Sequence, residues 1–362
     1  MKVSIGSKIV EGPWGGGNLF AKNLSKYLLD RGHEVVYDLA SKDIDVILLT
    51  DPRNRRSSSS TFNHKDIKRY LRYVNPNSLV IQRINECDER KGTNNINQFY
   101  KNASEVSDHI VFVSDWLKRI YTRMGINSSK CSVIMAGANS EIFYPPKENR
   151  VSSKFRLVTH HWSSHWNKGF DTYLYIDKLL ESDFWKDKIE FTYIGNLDED
   201  IIFKNTNVIQ PLSGDELANE IRKNDIYITA SINEPSGNHH IEAAQCGLPT
   251  LFINSGGIPE YCSGFGEDFE NNTDFEKKLI KTVEDFKSYK IKMEEYPFNS
   301  EKMCEDFYNL FNSLYEKNIN FDKPKLNFIF KEIVLISTVF LNRFTDLMNR
   351  LKIFTIINVI KR

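Results

Sequence analysis

Residues 225–257 read DIYITASINEPSGNHHIEAAQCGLPTLFINSGG, and this stretch decides the fold. Two short apolar runs, Asp225–Ala230 and Thr250–Ile253, stand on either side of Asn238–Cys246, where the apolar residues have helical spacing. A strand, a helix and a second strand of these lengths are typical of the repeating unit of a parallel α/β sheet. Polar residues follow the first strand directly, at the edge where such sheets bind ligands.

The same alternation of apolar runs and helical spacing fills most of the chain. It is interrupted at Pro145–Arg150, where two prolines and charged residues indicate a domain boundary. We therefore predict an α/β protein with two Rossmann-like domains facing across a cleft, at residues 1–148 and 149–300. A helix at 301–320 and a basic, amphipathic helical extension at 321–362 complete the predicted architecture.

Composition limits the function classes. The 362 residues suggest two domains, and 40% apolar residues are enough for a buried core in each. The 48 lysines and arginines balance 48 acidic residues, so no overall charge favours nucleic acid as a partner. Five scattered cysteines without a C-x-x-C pair are typical of reduced thiols in the cytoplasm. We expect neither a signal peptide nor a membrane-spanning helix.

Two glutamates in the quoted stretch have seven residues between them. Glu234 is predicted in the loop after the first strand, and Glu242 in the second turn of the next helix. Free N–H groups at the start of that helix suit a phosphate. Carboxylates on both sides of a bound diphosphate would accept hydrogen bonds from sugar and ribose hydroxyls. The predicted donor-binding residues here are Glu234, Ser236, Gly237, Asn238, His239 and Glu242.

Two further loops follow strands and suit the same ligand. Lys168, in Asn167-Lys168-Gly169, can neutralise a leaving group as charge develops on it. Gly16 and Gly17 open a helix after the first strand, where they would line the diphosphate or admit the acceptor. That loop lacks the G-x-G-x-x-G fingerprint, which disfavours an NAD-dependent oxidoreductase.

Together these segments resemble glycosyltransferase family 4, the retaining group 1 transferases with the GT-B fold. The matching pieces are the two glutamates, GGIPE at 256–260, the glycines at 15–17, RGHEV at 31–35 and VIMAGANSEIFYP at 133–145. The resemblance implies that the helix after residue 300 crosses back to the first domain. It also implies a metal-independent hexosyltransferase that moves a sugar from a nucleotide-sugar donor to an acceptor, with retention and without a cofactor.

By this resemblance Glu234 contacts the donor sugar, Glu242 the nucleotide ribose and Lys168 the diphosphate. The family usually has an arginine six residues before the lysine, where this chain has Trp162. His161 or His165 would be the nearest substitute. We find no pattern of metal ligands in the sequence, which agrees with the use of cationic side chains and helix dipoles in GT-B enzymes.

The polar segment at 82–93 follows another predicted strand. Arg83, Asp88 and Arg90 are its candidates for acceptor binding. Asn85 stands where much of the family has a histidine, and it cannot act as a base. In front-face attack, as proposed for this fold, a donor phosphate oxygen accepts the acceptor proton, and Asn85 would orient a hydroxyl. The predicted catalytic residues are therefore Glu234, Lys168 and Asn85.

Two other functions remain open at this stage. The absent arginine and histidine would suit a degenerate GT-B protein that binds a nucleotide sugar without transferring it. A nucleotide-sugar epimerase shares the architecture, but it requires acid and base groups at the sugar and no acceptor.

Residues 323–362 carry eight lysines and arginines, two acids and many large apolar residues. Such a segment can lie on the inner face of a membrane, which would suit a lipid-linked acceptor. It can equally form helices that pack on the body or on another subunit. The overall prediction is a cytoplasmic or peripheral enzyme of cell-surface polysaccharide or glycolipid synthesis, with a carbohydrate or lipid-linked acceptor.

Overall fold

The structure is a computed structural model, and it describes residues 1–10, 15–53, 59–147, 153–318 and 328–350. Two parallel six-stranded sheets, each covered by helices, confirm the predicted α/β fold class. In the first sheet, the strands Val46–Leu49 and Leu79–Ile84 are buried at every residue. Continuous apolar strands of this kind are expected where helices cover both faces of a parallel sheet.

The first sheet has the strand order β2-β1-β3-β4-β5-β6. Its strands are β1 (Lys2–Ile5), β2 (Glu34–Val36), β3 (Val46–Leu49), β4 (Leu79–Ile84), β5 (His109–Phe112) and β6 (Cys131–Val133). Its helices are α1 (Gly16–Leu29), α2 (His64–Tyr73), α3 (Asp88–Lys91), α4 (Ile96–Ala103) and α5 (Asp115–Arg123). The glycine loop therefore leads from β1 directly into α1.

The second sheet has the strand order β12-β11-β10-β7-β8-β9. Its strands are β7 (Phe155–His161), β8 (Ile189–Gly195), β9 (Asn207–Ile209), β10 (Ile226–Thr229), β11 (Thr250–Ile253) and β12 (Gly266–Phe269). Its helices are α6 (Phe170–Leu179), α7 (Gly214–Ile221), α8 (Asn238–Gln245), α9 (Ile258–Cys262), α10 (Asn272–Glu284) and α11 (Phe286–Met293). The order reverses between the adjacent strands β7 and β10, and such a switch point opens a crevice at the carboxyl ends.

The sequence predicts the domain boundary at Pro145–Arg150, but residues before this segment already pack against the second domain. Ala136, Ala138 and Phe143 pack into the buried cluster of the second domain. The backbone of Ala138 also pairs with Asn299, close to the end of that domain. These residues carry few large apolar groups, so their packing partner is not visible in the sequence pattern. Residues 148–152, at the predicted boundary itself, lie outside the described residues.

Two helices follow the second domain. α12 (Ser300–Asn318) returns to the first domain, where Met303, Phe307 and Phe311 join the buried cluster around α1. α13 (Phe328–Arg350) lies on the first domain beside α2, which it contacts through Val334 and Leu335. Residues 351–362 of the predicted extension lie outside the described part of the chain.

The outer face of α13 carries an exposed apolar stripe. The stripe consists of Ile333, Ile336, Phe340, Phe344 and Leu347, which recur at helical spacing. Within the described residues, no helix combines the length and the apolar character that crossing a membrane requires. The helix therefore packs on the body with one face and leaves a second apolar face uncovered.

Candidate active site

A cavity of about 1520 Å³ lies between the two domains, where the carboxyl ends of both sheets meet. It brings together twelve of the thirteen residues that the sequence predicts for the site. They are Gly16, Gly17, Arg83, Asn85, Arg90, Lys168, Glu234, Ser236, Gly237, Asn238, His239 and Glu242. Residues far apart in the chain thus share one space of the size that a nucleotide sugar and an acceptor would need.

Lys168 and Glu234 meet at the switch point of the second sheet, because one follows β7 and the other follows β10. The Lys168 Nζ donates a hydrogen bond of 2.6 Å to Oε2 of Glu234. Gly169 allows this approach: its φ is +104°, and a Cβ there would lie 2.4 Å from the Ala230 side chain at the end of β10. The sequence Lys-Gly therefore holds the lysine against the neighbouring strand end.

A second cation reaches Glu234 from the opposite domain. The Arg90 Nε lies 2.9 Å from Oε1 of Glu234, although its N–H is not directed at that oxygen, so the contact is an ion pair. The Arg90 Nη1 donates to both oxygens of Glu86, at 3.0 Å each. Asn233 and Asn167 add hydrogen bonds to the α3 backbone, at Glu89 and Arg90 respectively. These contacts tie α3 of the first domain to the edge of the second domain that carries Glu234.

Glu234 is an ionised carboxylate in this environment. Burial alone would raise its pKa, but the charges of Lys168 and Arg90 outweigh burial and lower the pKa to about 2. At neutral pH the group can therefore accept hydrogen bonds from hydroxyls and cannot donate a proton.

The start of α8 forms the next part of the cavity wall. Gly237 precedes this helix and provides no side-chain cap, so the first N–H groups of α8 remain available. The start of α1 lies against the start of α8, since a Cβ on Gly16 would be only 2.7 Å from the side-chain nitrogen Nδ2 of Asn238. Two helix N-termini, each with a partial positive charge, consequently meet at the cleft.

Glu242 lies one turn further along α8, buried at the cavity wall. Its Oε2 is 3.0 Å from Nε2 of His160, and Nδ1 of the same ring is 3.2 Å from the Tyr227 hydroxyl. Among the described residues, none donates a hydrogen bond to Oε1 of Glu242, so this oxygen can accept one from a ligand hydroxyl. His160 thus orients the carboxylate through one oxygen, and the other oxygen remains available to a ligand.

A cluster of buried histidines stands behind the second domain's part of the wall. Burial lowers the pKa of His161 and His239 well below the ordinary value, and that of His240 to about 3. His161 is therefore neutral and does not supply the cation that the resemblance expects at Trp162. His165 is exposed and does not line the cavity. The nearest additional cation is Arg90, which comes from the other domain.

Asp88 is the predicted site residue that lies away from the cavity. Its carboxylate accepts backbone N–H groups of Asn95, Ile96 and Asn97, at 2.8 to 3.0 Å, and so fixes the start of α4. It does not line the cavity. The prediction that Asp88 binds the acceptor is therefore wrong, because its carboxylate binds backbone N–H groups of the loop that follows it.

Sequence reasoning recognised the GGIPE stretch but not its role at the interface. Both oxygens of Glu260 accept hydrogen bonds of 2.6 Å, from the N–H groups of Asp115 and Trp116 at the start of α5. The next residue, Tyr261, accepts from the Ala136 N–H and donates to the Val113 carbonyl. One short helix of the second domain thereby caps a helix of the first.

The glycines of that stretch support the site directly. Gly256 has a φ of +67°, and a Cβ there would lie 2.5 Å from the Glu234 carbonyl oxygen. The Gly257 N–H donates to the same carbonyl at 2.8 Å. The loop that carries Glu234 therefore rests on glycine backbone. Across the described ranges, no group of three or more histidine, cysteine or acidic side chains is arranged to hold a metal ion.

Comparison with known proteins agrees with this geometry. Residues 194–296, in the second domain, match the family model for glycosyl transferases group 1. The chain is also 22% identical, over 213 residues, to the phosphatidylinositol N-acetylglucosaminyltransferase gpi3 subunit of Schizosaccharomyces pombe. That match covers 55% of this chain and 46% of the relative, so the chain spans about half the length of the curated relative it matches.

The second domain of the chain is thus similar in sequence to the group 1 glycosyltransferases.

Solved structures of similar fold extend the likeness to both domains of the chain. A glycosyltransferase from Rickettsia africae has a TM-score of 0.63 at 14% identity, covering 89% of this chain and 99% of the other. Sucrose-phosphate synthase from Thermosynechococcus elongatus has a TM-score of 0.61 at 14% identity, covering 87% and 99%. Anabaena HepE, solved with UDP-glucose, has a TM-score of 0.61 at 11% identity, covering 86% and 100%. The fold is GT-B, as the sequence predicts.

Proposed function

We propose that this protein is a retaining, metal-independent hexosyltransferase that moves a sugar from a nucleotide-sugar donor to an acceptor in the cleft. The observation that carries the proposal is the shared cavity of Lys168, Glu234, Glu242 and the start of α8. A cation and free helix N–H groups suit a departing diphosphate, and two carboxylates suit the hydroxyls on either side of it. A related fold solved with UDP-glucose supports the same class of donor.

In the proposed reaction the bond between the anomeric carbon and the donor phosphate oxygen breaks, and its electron pair stays on the diphosphate. Lys168 and the N–H groups of α8 stabilise that charge as it develops. The acceptor hydroxyl attacks from the face that the diphosphate leaves, and a phosphate oxygen takes its proton. Glu234 holds the sugar hydroxyls, Glu242 the ribose, and Asn85 orients the acceptor hydroxyl.

Donor binding must rearrange the present contacts. Lys168 donates to Glu234 in the described state, and the diphosphate would compete for the same ammonium group. Arg90 lies at the other oxygen of Glu234 and keeps it ionised while Lys168 turns to the phosphate. These charge pairs thus hold both groups close to the positions proposed for them in the reaction.

The electrostatics of the site argue against an epimerase. An epimerase needs a proton donor and a proton acceptor at the sugar. The low pKa of Glu234 keeps it ionised, and Asn85 does not titrate. The experiment below separates an enzyme from a degenerate nucleotide-sugar binder.

The first test screens UDP- and GDP-sugars for thermal stabilisation, since a ligand that binds only the folded state raises the melting temperature. The best donor is then incubated, with water in place of the acceptor, with the wild type, with Glu234→Gln, and with Glu190→Gln as a surface control. We expect NMR to show donor consumption with retained anomeric configuration in the wild type and the control, and a loss of about 100-fold or more in Glu234→Gln. Stabilisation without consumption would contradict transfer, and acceptor-free conversion to another nucleotide sugar would indicate an epimerase.

The setting of the reaction is also proposed. The exposed apolar stripe of α13 and the basic composition of residues 323–362 support a peripheral site on the inner face of a membrane, with a carbohydrate or lipid-linked acceptor. Cell-surface polysaccharide or glycolipid synthesis would use such an enzyme. Truncation after residue 327 tests this part separately: the full chain should sediment with anionic vesicles and the truncated chain should not.

A further inference from the structure

Arg83 is a buried cation for which the described residues provide no carboxylate. Arg83 is the last residue of β4 on the inward-facing side of that strand. It lines the cavity, and only 6% of the residue is exposed. Its guanidinium lies over the Phe20 ring of α1, with Cζ 4.1 Å from the ring centroid. Burial lowers the pKa of Arg83 to about 10, so the group still carries its charge at neutral pH.

Other buried cations of the cavity are already neutralised. Arg90 contacts Glu86 and Glu234, and Lys168 contacts Glu234. A buried charge without a partner is costly, because desolvation is not repaid by an opposite charge. A cation in this state, facing a cavity, is suited to an anion that arrives with a ligand.

The surroundings of Arg83 add to this preference. Phe20, under its guanidinium, is in the second turn of α1, whose first turn contains no acidic residue and no side-chain cap. A Cβ on Gly15 or Gly17 would meet no described atom within 4 Å, so these two glycines leave room beside the helix start. Lys8 also lines the cavity. Free N–H groups, a helix dipole and a guanidinium are therefore all found on the first domain's side of the cavity.

We infer that Arg83 and the start of α1 bind an oxyanion, a phosphate or a carboxylate, that belongs to the acceptor. This inference rests on the proposed function and narrows the acceptor to an anionic one. The donor diphosphate is the other source of the same chemistry. The acceptor is the better source for Arg83 because the charged groups assigned to the donor, Lys168, Glu234 and Glu242, belong to the second domain, whereas Arg83 belongs to the first. Gly16 and Gly17, at the start of α1, stand between the two sources, so the test fills the donor site with nucleotide.

The test compares wild type, Arg83→Met and Arg83→Gln by thermal unfolding. Arg31→Met is the matched control, because Arg31 also stacks on an aromatic ring of α1, with Cζ 3.4 Å from the Tyr27 centroid, but is exposed. Each protein is measured in sodium chloride and in sodium phosphate of equal ionic strength. Saturating UDP or GDP, whichever stabilises more, fills the donor site in a second series.

With the nucleotide present, phosphate should raise the melting temperature of the wild type and of Arg31→Met, and should leave both Arg83 variants unchanged. Without phosphate, Arg83→Met should melt at or above the wild-type temperature, by up to about 2–4 °C, since an uncompensated charge is removed. Nucleotide affinity should stay within about twofold of wild type in Arg83→Gln.

Equal phosphate shifts in wild type and both Arg83 variants would overturn the inference. A tenfold loss of nucleotide affinity in Arg83→Gln would also overturn it, because Arg83 would then serve the donor. If neither nucleotide stabilises any variant, the proposed donor site fails instead, and the nucleotide-free phosphate series still decides the Arg83 site.

Discussion

The charged side chains on the two sides of the cleft differ in whether they have partners within the protein. On the second domain's side, Lys168 is paired with Glu234 and Glu242 with His160, each through a contact of 3.0 Å or less. On the first domain's side, Arg83 has no carboxylate among the described residues, and a Cβ on Gly15 or Gly17 would meet no described atom within 4 Å. The second domain's charged groups are held in place by each other, whereas the positive charge of Arg83 is left for a ligand to neutralise. The contrast suits a fixed donor chemistry on one side and a variable acceptor on the other.

The largest expected effect concerns the organised side. Lys168→Met removes the second domain's only lysine or arginine among the described cavity-lining residues. We expect kcat to fall by about 10²–10³, the usual result of removing one group that stabilises developing negative charge. Steady-state kinetics at saturating donor measure it, with the exposed Lys178→Met as control. A loss below tenfold would show that the leaving group is stabilised elsewhere.

Arg90→Gln tests the contact that joins the two sides. The substitution leaves Glu86 and Glu234 with one cation fewer in a buried network, and breaking such a pair is strongly destabilising. We expect kcat/KM to fall by roughly tenfold or more, together with a lower melting temperature. Lys91→Gln is the control, because Lys91 also pairs with Glu86 but its side chain is 40% exposed, where pairs contribute little. Similar losses in both variants would contradict a specific role for Arg90.

The buried histidines should make the second domain sensitive to acid. His240 has a pKa of about 3 when folded and about 6.5 when unfolded, so the unfolded chain binds the extra proton as the pH falls. Stability is therefore complete above about pH 6.5 and decreases by about 1.4 kcal/mol per pH unit below it for this residue. Urea unfolding at pH 7.5 and 5.5 should show a smaller decrease in His240→Leu than in wild type.

The exposed His165→Leu is the control for that comparison and should retain the wild-type pH dependence. If His240→Leu lost as much stability between the two pH values as wild type, the histidine would not be buried and neutral.

The smallest expected effect is at the helix cap between the domains. Glu260→Gln replaces a charged acceptor of two N–H groups at the start of α5 by a neutral one. A change of about 1 kcal/mol is usual for a charge at a helix N-terminus, which would weaken nucleotide affinity about fivefold if capping and domain closure are coupled. Isothermal titration measures it, with the exposed Glu295→Gln as control. Unchanged affinity would separate this cap from donor binding.

Much of the second domain's side of the cleft could be predicted from the sequence. The strand at Asp225–Ala230, the helix at Asn238–Cys246 and the strand at Thr250–Ile253 appear within a residue or two of the predicted bounds, because their apolar spacing is local. Parallel topology then places residues after β7 and β10 together without any further information.

The contacts between domains could not be predicted in the same way. Arg90 and Glu234 meet although 144 residues separate them, and their meeting depends on how two folded units pack. Asp88 looked like a ligand-binding acid because a carboxylate that caps a following helix has the same local sequence context. The role of Glu260 was equally hidden, since its partners are backbone N–H groups that any sequence could supply.

The central claim is that Lys168 and the start of α8 together hold the donor diphosphate. A crystal structure with UDP or GDP, whichever nucleotide stabilises the protein more, tests it most directly. We predict phosphate oxygens within hydrogen-bonding distance of the Lys168 Nζ and of the first N–H groups of α8, with the ribose at Glu242. A diphosphate bound elsewhere in the cleft, with Lys168 still paired to Glu234, would contradict the account.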